Sequence, residues 1–496
     1  MGKFGRDVSG AFAALLLTVS TAAYATTYYV SNSGNDSNSG TSPSAPWKTI
    51  AKVNSEQYAP GDAILFFGGQ LFNGNIVLTS SGGTGSPITV GSYGIPDATI
   101  SAGTGSGIYW HNAGDATVED LVFEGSGSGS NQDNGVNFYA QSGSWSDITV
   151  SNVSVTGFRE GVYVGTAGGT YKNVTIADVT AYDNGDTGIF IDNSYAWPKP
   201  ETSNLAIQSS VSSGNGRWGI QIEGVEGGTV ANSTAYSNGD IGMWSWAADH
   251  ILFEEDVATG NGGKDGGFDL DVGTTNSTIE YSYSYDNGGS GFQVCNYAYN
   301  PVTADNTIRF NIGENNYGSA AALELDGDGS RIQGLYYYNN TIYQNLGTGD
   351  YLVGEYTPAS DFIIANNIIA AGSANGAASL WAGIPMTLDY DDWYGALGDF
   401  WYNDKNYGSY ASFRSETGQE ADGLDATPRF IGPPGTENPT AYQLAPDSVL
   451  VGAGADMRKT YHIDPGARDY YGNLLPVSGP LSVGADEGQT GYRGRS

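Results

Sequence analysis

Four carboxylates fall at spacings that suit acid–base chemistry: Asp269, Asp271, Glu324 and Asp326. Asp269 and Asp271 stand two apart in Gly267-Phe-Asp-Leu-Asp, and Glu324 and Asp326 repeat that spacing in Ala322-Leu-Glu-Leu-Asp. Residues two apart in an extended strand share a face, so each pair sets its carboxylates side by side, about 7 Å apart. Glycoside hydrolysis needs two carboxyl groups, one to protonate the leaving oxygen and one to activate water or attack the anomeric carbon. Crowding raises the pKa of one member of such a pair, which suits an acid and a base near neutrality. Asp269 is the candidate general acid, desolvated by Trp244, with Asp271 or Glu324 as base or nucleophile. Around them Asp192, Gln221, Glu223, Trp244, Trp246 and Gln293 are candidates for substrate binding. Flat aromatic rings stack on sugars, and carboxylates and amides bond their hydroxyls. Trp244 and Trp246 alternate on one strand and are expected to be exposed together, which calls for a ligand or a covering loop.

The elements that position these residues repeat. Asn-Gly-x-x-Gly occurs at Asn184, Asn215, Asn238 and Asn287, with a longer variant from Asn261 to Gly267. Each feeds an alternating strand such as Gly188-Ile-Phe-Ile, Gly219-Ile-Gln-Ile, Gly267-Phe-Asp-Leu or Gly291-Phe-Gln-Val. The starting glycines 135, 161, 188, 219, 242, 267 and 291 lie 26, 27, 31, 23, 25 and 24 residues apart. A unit of that length cannot bury its own apolar face, so the copies must stack as coils whose strands pair in parallel. The expected fold is all-β: a right-handed parallel β-helix with an N-terminal cap and a C-terminal insertion and closing region. Ile220, Phe268 and Phe292 should point inward, and Gly and Asn should supply the φ > 0 corners. Outward, the third strand positions align as Asn137, Tyr163, Phe190, Gln221, Trp244, Asp269, Gln293 and Glu324. The fifth align as Tyr139, Gly165, Asp192, Glu223, Trp246, Asp271, Cys295 and Asp326.

Composition narrows the partners. The net charge is -34, which opposes binding of nucleic acid and repels an acidic polysaccharide unless a cation or a local basic patch intervenes. The lone Cys295 excludes an internal disulfide framework. Lys3 and Arg6, the apolar run Ala11 to Val19 and the ending Ala23-Tyr24-Ala25 form a secretory signal cut after Ala25. No later stretch is apolar enough to span a bilayer. The expected product is a soluble monomer outside the cytoplasm, extracellular or periplasmic, acting on a polysaccharide or oligosaccharide.

Residues 26–105, with Thr27-Tyr-Tyr-Val-Ser, Trp47-Lys-Thr-Ile and Gly61-Asp-Ala-Ile-Leu-Phe, resemble the entry segment of the secreted pectate-lyase-like superfamily. The tail Val483-Gly-Ala-Asp-Glu-Gly resembles its closing strand. The resemblance implies an extended strand and a short helix capping the first coil; the repeats give a parallel β-helix core over 106–371, followed by C-terminal coils with a long aromatic, acidic insertion over 372–496. The periodicity is expected to break past Ala371, with residues 380–440 laid against the solenoid.

The resemblance also implies a second chemistry, Ca²⁺-dependent β-elimination, in which Lys264, His250 or Arg331 would remove a proton. The hydrolase reading needs no cofactor. Carboxylate columns and Asp326-Gly-Asp328-Gly leave room for Ca²⁺, although no metal-ligand set is identified. A non-catalytic glycan-binding or adhesin-like protein is the third reading, since fold does not imply function.

Overall fold

Alternation builds the strands. In Ile189–Asp192, Ile220–Glu223, Phe268–Leu270 and Phe292–Asn296 the first and third residues are fully buried, Ile220, Phe268 and Phe292 among them. A single strand has nothing to bury these against, so each lies in parallel on the next. Ile220–Glu223 pairs with Ile189–Asp192 on one side and with Met243–Trp246 on the other. The structure is a computed structural model that describes residues 25–193, 200–297, 301–317, 320–327, 331–345, 350–354, 359–371, 376–380, 386–395, 397–403 and 405–488. The stretch read as an export signal, up to residue 24, and Asp328 lie outside the described residues.

Over these residues the chain is a right-handed parallel β-solenoid with two strand systems, one of 26 strands and one of 14. The shorter system carries the outward columns, in the register the glycine spacing implies. Asn137 faces Tyr163, then Phe190, Gln221, Trp244, Asp269, Gln293 and Glu324 in turn.

Gly and Asn do take positive φ at many corners, as at Asn152, Asn204, Asn232 and Asn315, although the starting glycines and turn asparagines of the repeat do not. The starting glycines are needed for space: a Cβ at Gly188 would sit 1.9 Å from Ser212 Oγ. Positive φ falls on the residue before each turn asparagine, as at Asp183, Gly214, Ser237, Gly260 and Asp286. That backbone turn sends the asparagine inward. Asn184, Asn215, Asn238, Asn261, Asn287 and Asn316 then form a buried ladder, each Nδ2 donating to the next Oδ1 at 2.9–3.0 Å. Each Oδ1 also accepts the preceding asparagine's backbone N–H, so the corner leaves few buried polar groups unpaired.

At the entry, Thr27–Val30 pairs with Ala63–Phe67, and the helix Ile50–Asn54 buries Ile50 and Val53 behind its Thr49 cap. At the other end the coils include part of the 380–440 stretch expected to be an insertion. Met386–Asp389 and Asp392–Tyr394 still pair in parallel with Phe362–Ala365 and Ile368–Ala371. Their aromatic, acidic composition conceals ordinary inward positions: Leu388 and Trp393 are buried. The helix Tyr410–Thr417 closes this end by stacking Phe413 on Phe400, ring centroids 5.2 Å apart.

The remaining tail packs on the 26-stranded system. Arg468 bonds to Glu254 and Glu255 and lies 3.8 Å over the Tyr281 ring, while Glu437 N–H donates to Glu314. Among the described residues no helix is long and apolar enough to cross a membrane.

Candidate active-site groove

Outward-facing residues on adjacent coils stand one strand spacing apart, about 4.8 Å, so long side chains cover their neighbours. This overturns the expectation that Trp244 and Trp246 are exposed together. Trp244 is only 9% exposed and Trp246 is half-buried. Asp269 is 2% exposed, and Asp271, Gln221, Glu223, Asp192 and Gln293 are buried as well. Glu324 is half-buried and bonded to Ser290. The Asp326 backbone pairs with Cys295, and its side chain lies outside the described residues.

Two open clefts remain along this face. The larger, about 720 Å³, lies over the first coils between Tyr109, Asn137, Tyr139, Tyr163 and Phe190. The second, about 390 Å³, lies between Trp218, Gln221, Glu223, Trp244 and Trp246. They meet at Arg159, Glu160, Phe190 and Asp192, which line both. The result is one groove along successive coils with aromatic walls and carboxylates in its floor.

Its walls are fixed by specific contacts. Trp218 and Trp244 lie 5.1 Å apart and 31° from parallel, with the Arg217 guanidinium 3.6 Å over Trp218. Trp244 Nε1 donates to Asp271 Oδ2 at 3.1 Å, so Asp271 holds the indole from below. Gln221 accepts from Thr187 Oγ1 at 3.0 Å and donates to Glu223 Oε1 at 2.6 Å, presenting that carboxylate to the second cleft.

At the junction Tyr163 O–H donates to Asp192 Oδ2 at 2.8 Å. Glu160, 3% exposed, lies 3.2 Å from Arg159 Nε. Burial pushes its carboxyl up to about 7; Arg159 opposes this, while Asp186 and Asp192 add to it. A carboxyl with that environment holds a proton near neutral pH and can give it up.

Asp269, Asp271 and Cys295 are brought together. One ligand atom from each lies within 4.8 Å of the others, not about 7 Å. The strand ends at Leu270, and Asp271 turns to accept Val272 N–H at 2.6 Å. Gln293 Nε2 lies 2.7 Å from Cys295 Sγ. Two carboxylates and a thiol could hold a soft divalent ion such as Zn²⁺; they do not make the all-oxygen shell that suits Ca²⁺.

The suggested bases are dispersed. Lys264 is exposed on the turn before the acidic strand, whereas His250, bonded to Asp249 at 2.7 Å, and Arg331 flank the other strand system.

Glu160, Arg159, Arg217 and Trp218 were absent from the sequence-derived set. The signal was a third column, the residue before each starting glycine: Asn134, Glu160, Thr187, Trp218 and Ile241.

The model of the right-handed β-helix region matches residues 79–258 and 161–334, which together span 79–334, just over half of the chain. The chain belongs to the right-handed β-helix family. A lacto-N-biosidase of Bifidobacterium longum subsp. longum is 24% identical over 463 residues, covering 66% of this chain. The chain spans only 28% of that protein's length. Among solved structures, XylC in complex with xylose superposes with a TM-score of 0.52 at 11% identity, over 92% of this chain and 98% of its own. This likeness shows the β-helix fold alone. The GH136 lacto-N-biosidase of Eubacterium ramulus matches at 15% identity and a TM-score of 0.48, over 67% of each chain.

Proposed function

We propose that this chain is an exported glycoside hydrolase that binds a neutral or weakly charged glycan along the groove and hydrolyses it there. The observation that carries the reading is the groove itself, where buried carboxylates floor an open cleft walled by tyrosine and tryptophan. Sugar rings present C–H faces to such aromatics and hydroxyls to such carboxylates. The lacto-N-biosidase relative supports a hydrolytic reaction on an oligosaccharide. The strongly negative chain supports a substrate without many charges of its own. The basic, apolar and Ala-x-Ala order at the N-terminus supports export.

In this reading Asp192, Gln221, Glu223, Trp244 and Trp246 contact the sugar. Asp271, which accepts from Trp244 Nε1, keeps Trp244 in place. Trp244→Ala should weaken glycan binding by about 1–2 kcal/mol, roughly 5- to 30-fold in Kd, and, because the ring is largely buried against Trp218, should also lower the melting temperature. Titration calorimetry and a thermal melt on the same sample separate a binding wall from a packing residue. Unchanged affinity with a sharp fall in melting temperature would make Trp244 a packing residue only.

The reaction is tested by incubating the protein with a panel of glycans, following reducing ends and absorbance near 235 nm. Hydrolysis raises reducing ends with no absorbance. Rising absorbance from unsaturated uronates would establish the lyase instead, and binding with neither product would establish a non-catalytic glycan-binding protein.

A further inference from the structure

Any hydrolase working in this groove needs a carboxyl group that reaches the substrate and is protonated when the glycan arrives. Asp269 and Asp271 line neither cleft among the described residues. Glu160 does, at the point where the two clefts join, with its side chain closed off from bulk water everywhere except toward the groove. Beside it stands Asp192, whose Oδ2 is fixed by the Tyr163 hydroxyl. The backbone explains the pairing. Glu160 closes the turn before its strand, with its carbonyl accepting Gly135 N–H, and Asp192 ends the strand of the next coil. Both carboxyl groups therefore converge on the same stretch of cleft.

We propose that Glu160 is the proton donor to the glycosidic oxygen and that Asp192 is its partner carboxylate; this rests on the hydrolase reading. The proton leaves the Glu160 O–H and bonds to the glycosidic oxygen, while the C1–O bond breaks with its electron pair going to that oxygen. Water supplies a hydroxyl to C1, and its other proton passes to Asp192. Proton exchange with solvent then restores both groups. Net, one water is consumed and one glycosidic bond is cut.

Arg159 is placed to set when the donor releases its proton. It lies against Glu160 Oε1 and 3.8 Å from Asp186, with Arg217 on the far side of Asp186 at 4.0 Å. The charged and titratable groups facing Glu160 are thus Arg159, Asp186, Asp192 and Tyr163, with Asp133 and Arg217 at the groove walls. Desolvation outweighs the arginine, so the donor is loaded below about 7 and unloaded above it. The rate should fall as pH rises through that value.

The test compares Glu160→Gln with wild type and with Asp269→Asn on a panel carrying lacto-N-biose, xylose, glucose, galactose or N-acetylglucosamine. Each glycon is attached either to p-nitrophenol or to a sugar. Glu160→Gln should lose roughly 100-fold or more on the sugar leaving groups. On p-nitrophenol, which departs without protonation, it should lose far less, and the fall in rate above neutral pH should vanish. Circular dichroism should show the fold retained. Equal losses on both leaving groups would overturn the donor role, as would an unchanged pH profile. A leaving-group-dependent loss in Asp269→Asn but not in Glu160→Gln would assign that role to Asp269. A wild type that cleaves nothing in the panel would overturn the hydrolase reading, and the donor with it.

Discussion

Phe268→Ala is expected to lower the unfolding free energy by about 3–5 kcal/mol, among the largest costs of any single side-chain truncation in this chain. Phe268 is fully buried, stacked on Phe292 with ring centroids 5.7 Å apart and 14° from parallel, and edge-on to Phe253 at 6.2 Å. Its neighbours belong to paired backbones that cannot collapse into the void without breaking strand register. The residue that follows it, Asp269, faces Trp244, so the damage should reach the second cleft as lost glycan affinity. Urea denaturation followed by tryptophan fluorescence measures the first effect, and calorimetry the second. A cost below about 1 kcal/mol would mean that the inward register is wrong.

The second large effect is a loss of stability on the alkaline side. The closing end buries a carboxyl pair, Asp391 and Glu420, with Asp391 N–H and Trp393 Nε1 donating to Glu420 and Asn367 Nδ2 donating to Asp391 at 2.8 Å. Burial raises both groups, Asp391 to about 7 and Glu420 well above its usual range, because two adjacent charges cannot both form out of water. Burial likewise raises Glu160, Asp392 and Glu487 to about 7. Each of these groups binds its proton more tightly folded than unfolded. Their contribution is therefore fully present below about pH 4 and is lost as pH rises through about 7. The melting temperature should fall between pH 5 and pH 8, by an amount on the order of several kcal/mol in unfolding free energy. Glu420→Gln, which keeps the pair neutral on one side, should flatten that fall. Steady or rising stability over the same interval, with no difference in the variant, would contradict the shared-proton arrangement.

Strand register was legible because glycine and alternation mark it without ambiguity. Once Gly219-Ile-Gln-Ile is set over Gly188-Ile-Phe-Ile, period two decides which residues face out, and the columns follow. Burial was not legible from the same pattern. "Outward" in a solenoid means away from the coil interior, and whether water reaches the residue depends on the size of its neighbours on adjacent coils. Trp244 illustrates this: its ring packs against Trp218 and bonds to Asp271, and both Trp244 and Asp271, which period two had placed on the surface, are buried.

Asp271 shows a different gap. Backbone spacing places the carboxylates about 7 Å apart, but side-chain rotamers set where their oxygens go, and those of Asp269 and Asp271 lie with Cys295 within 4.8 Å of one another. Glu160 was missed because strands were aligned from the glycine onward, whereas the groove is also built by the turn residue just before it. The buried asparagine ladder was read as a set of turn residues. Spacing fixed its period, but only coil stacking reveals that each amide pairs with the next. At the C-terminal end, Tyr and Asp masked inward Leu388 and Trp393, so residues that pair within the solenoid were read as part of an insertion lying against it.

Hydrolysis in the groove is tested most directly by following where the oxygen of water goes. Wild-type protein is incubated in H₂¹⁸O with whichever p-nitrophenyl glycoside it accepts, and both products are weighed by mass spectrometry within the first turnovers. The account predicts one ¹⁸O in the released sugar, at C1, none in p-nitrophenol, and sharply reduced release by Trp244→Ala at low substrate. Release without ¹⁸O in the sugar, an unsaturated sugar product, or no release from any glycan offered would contradict it.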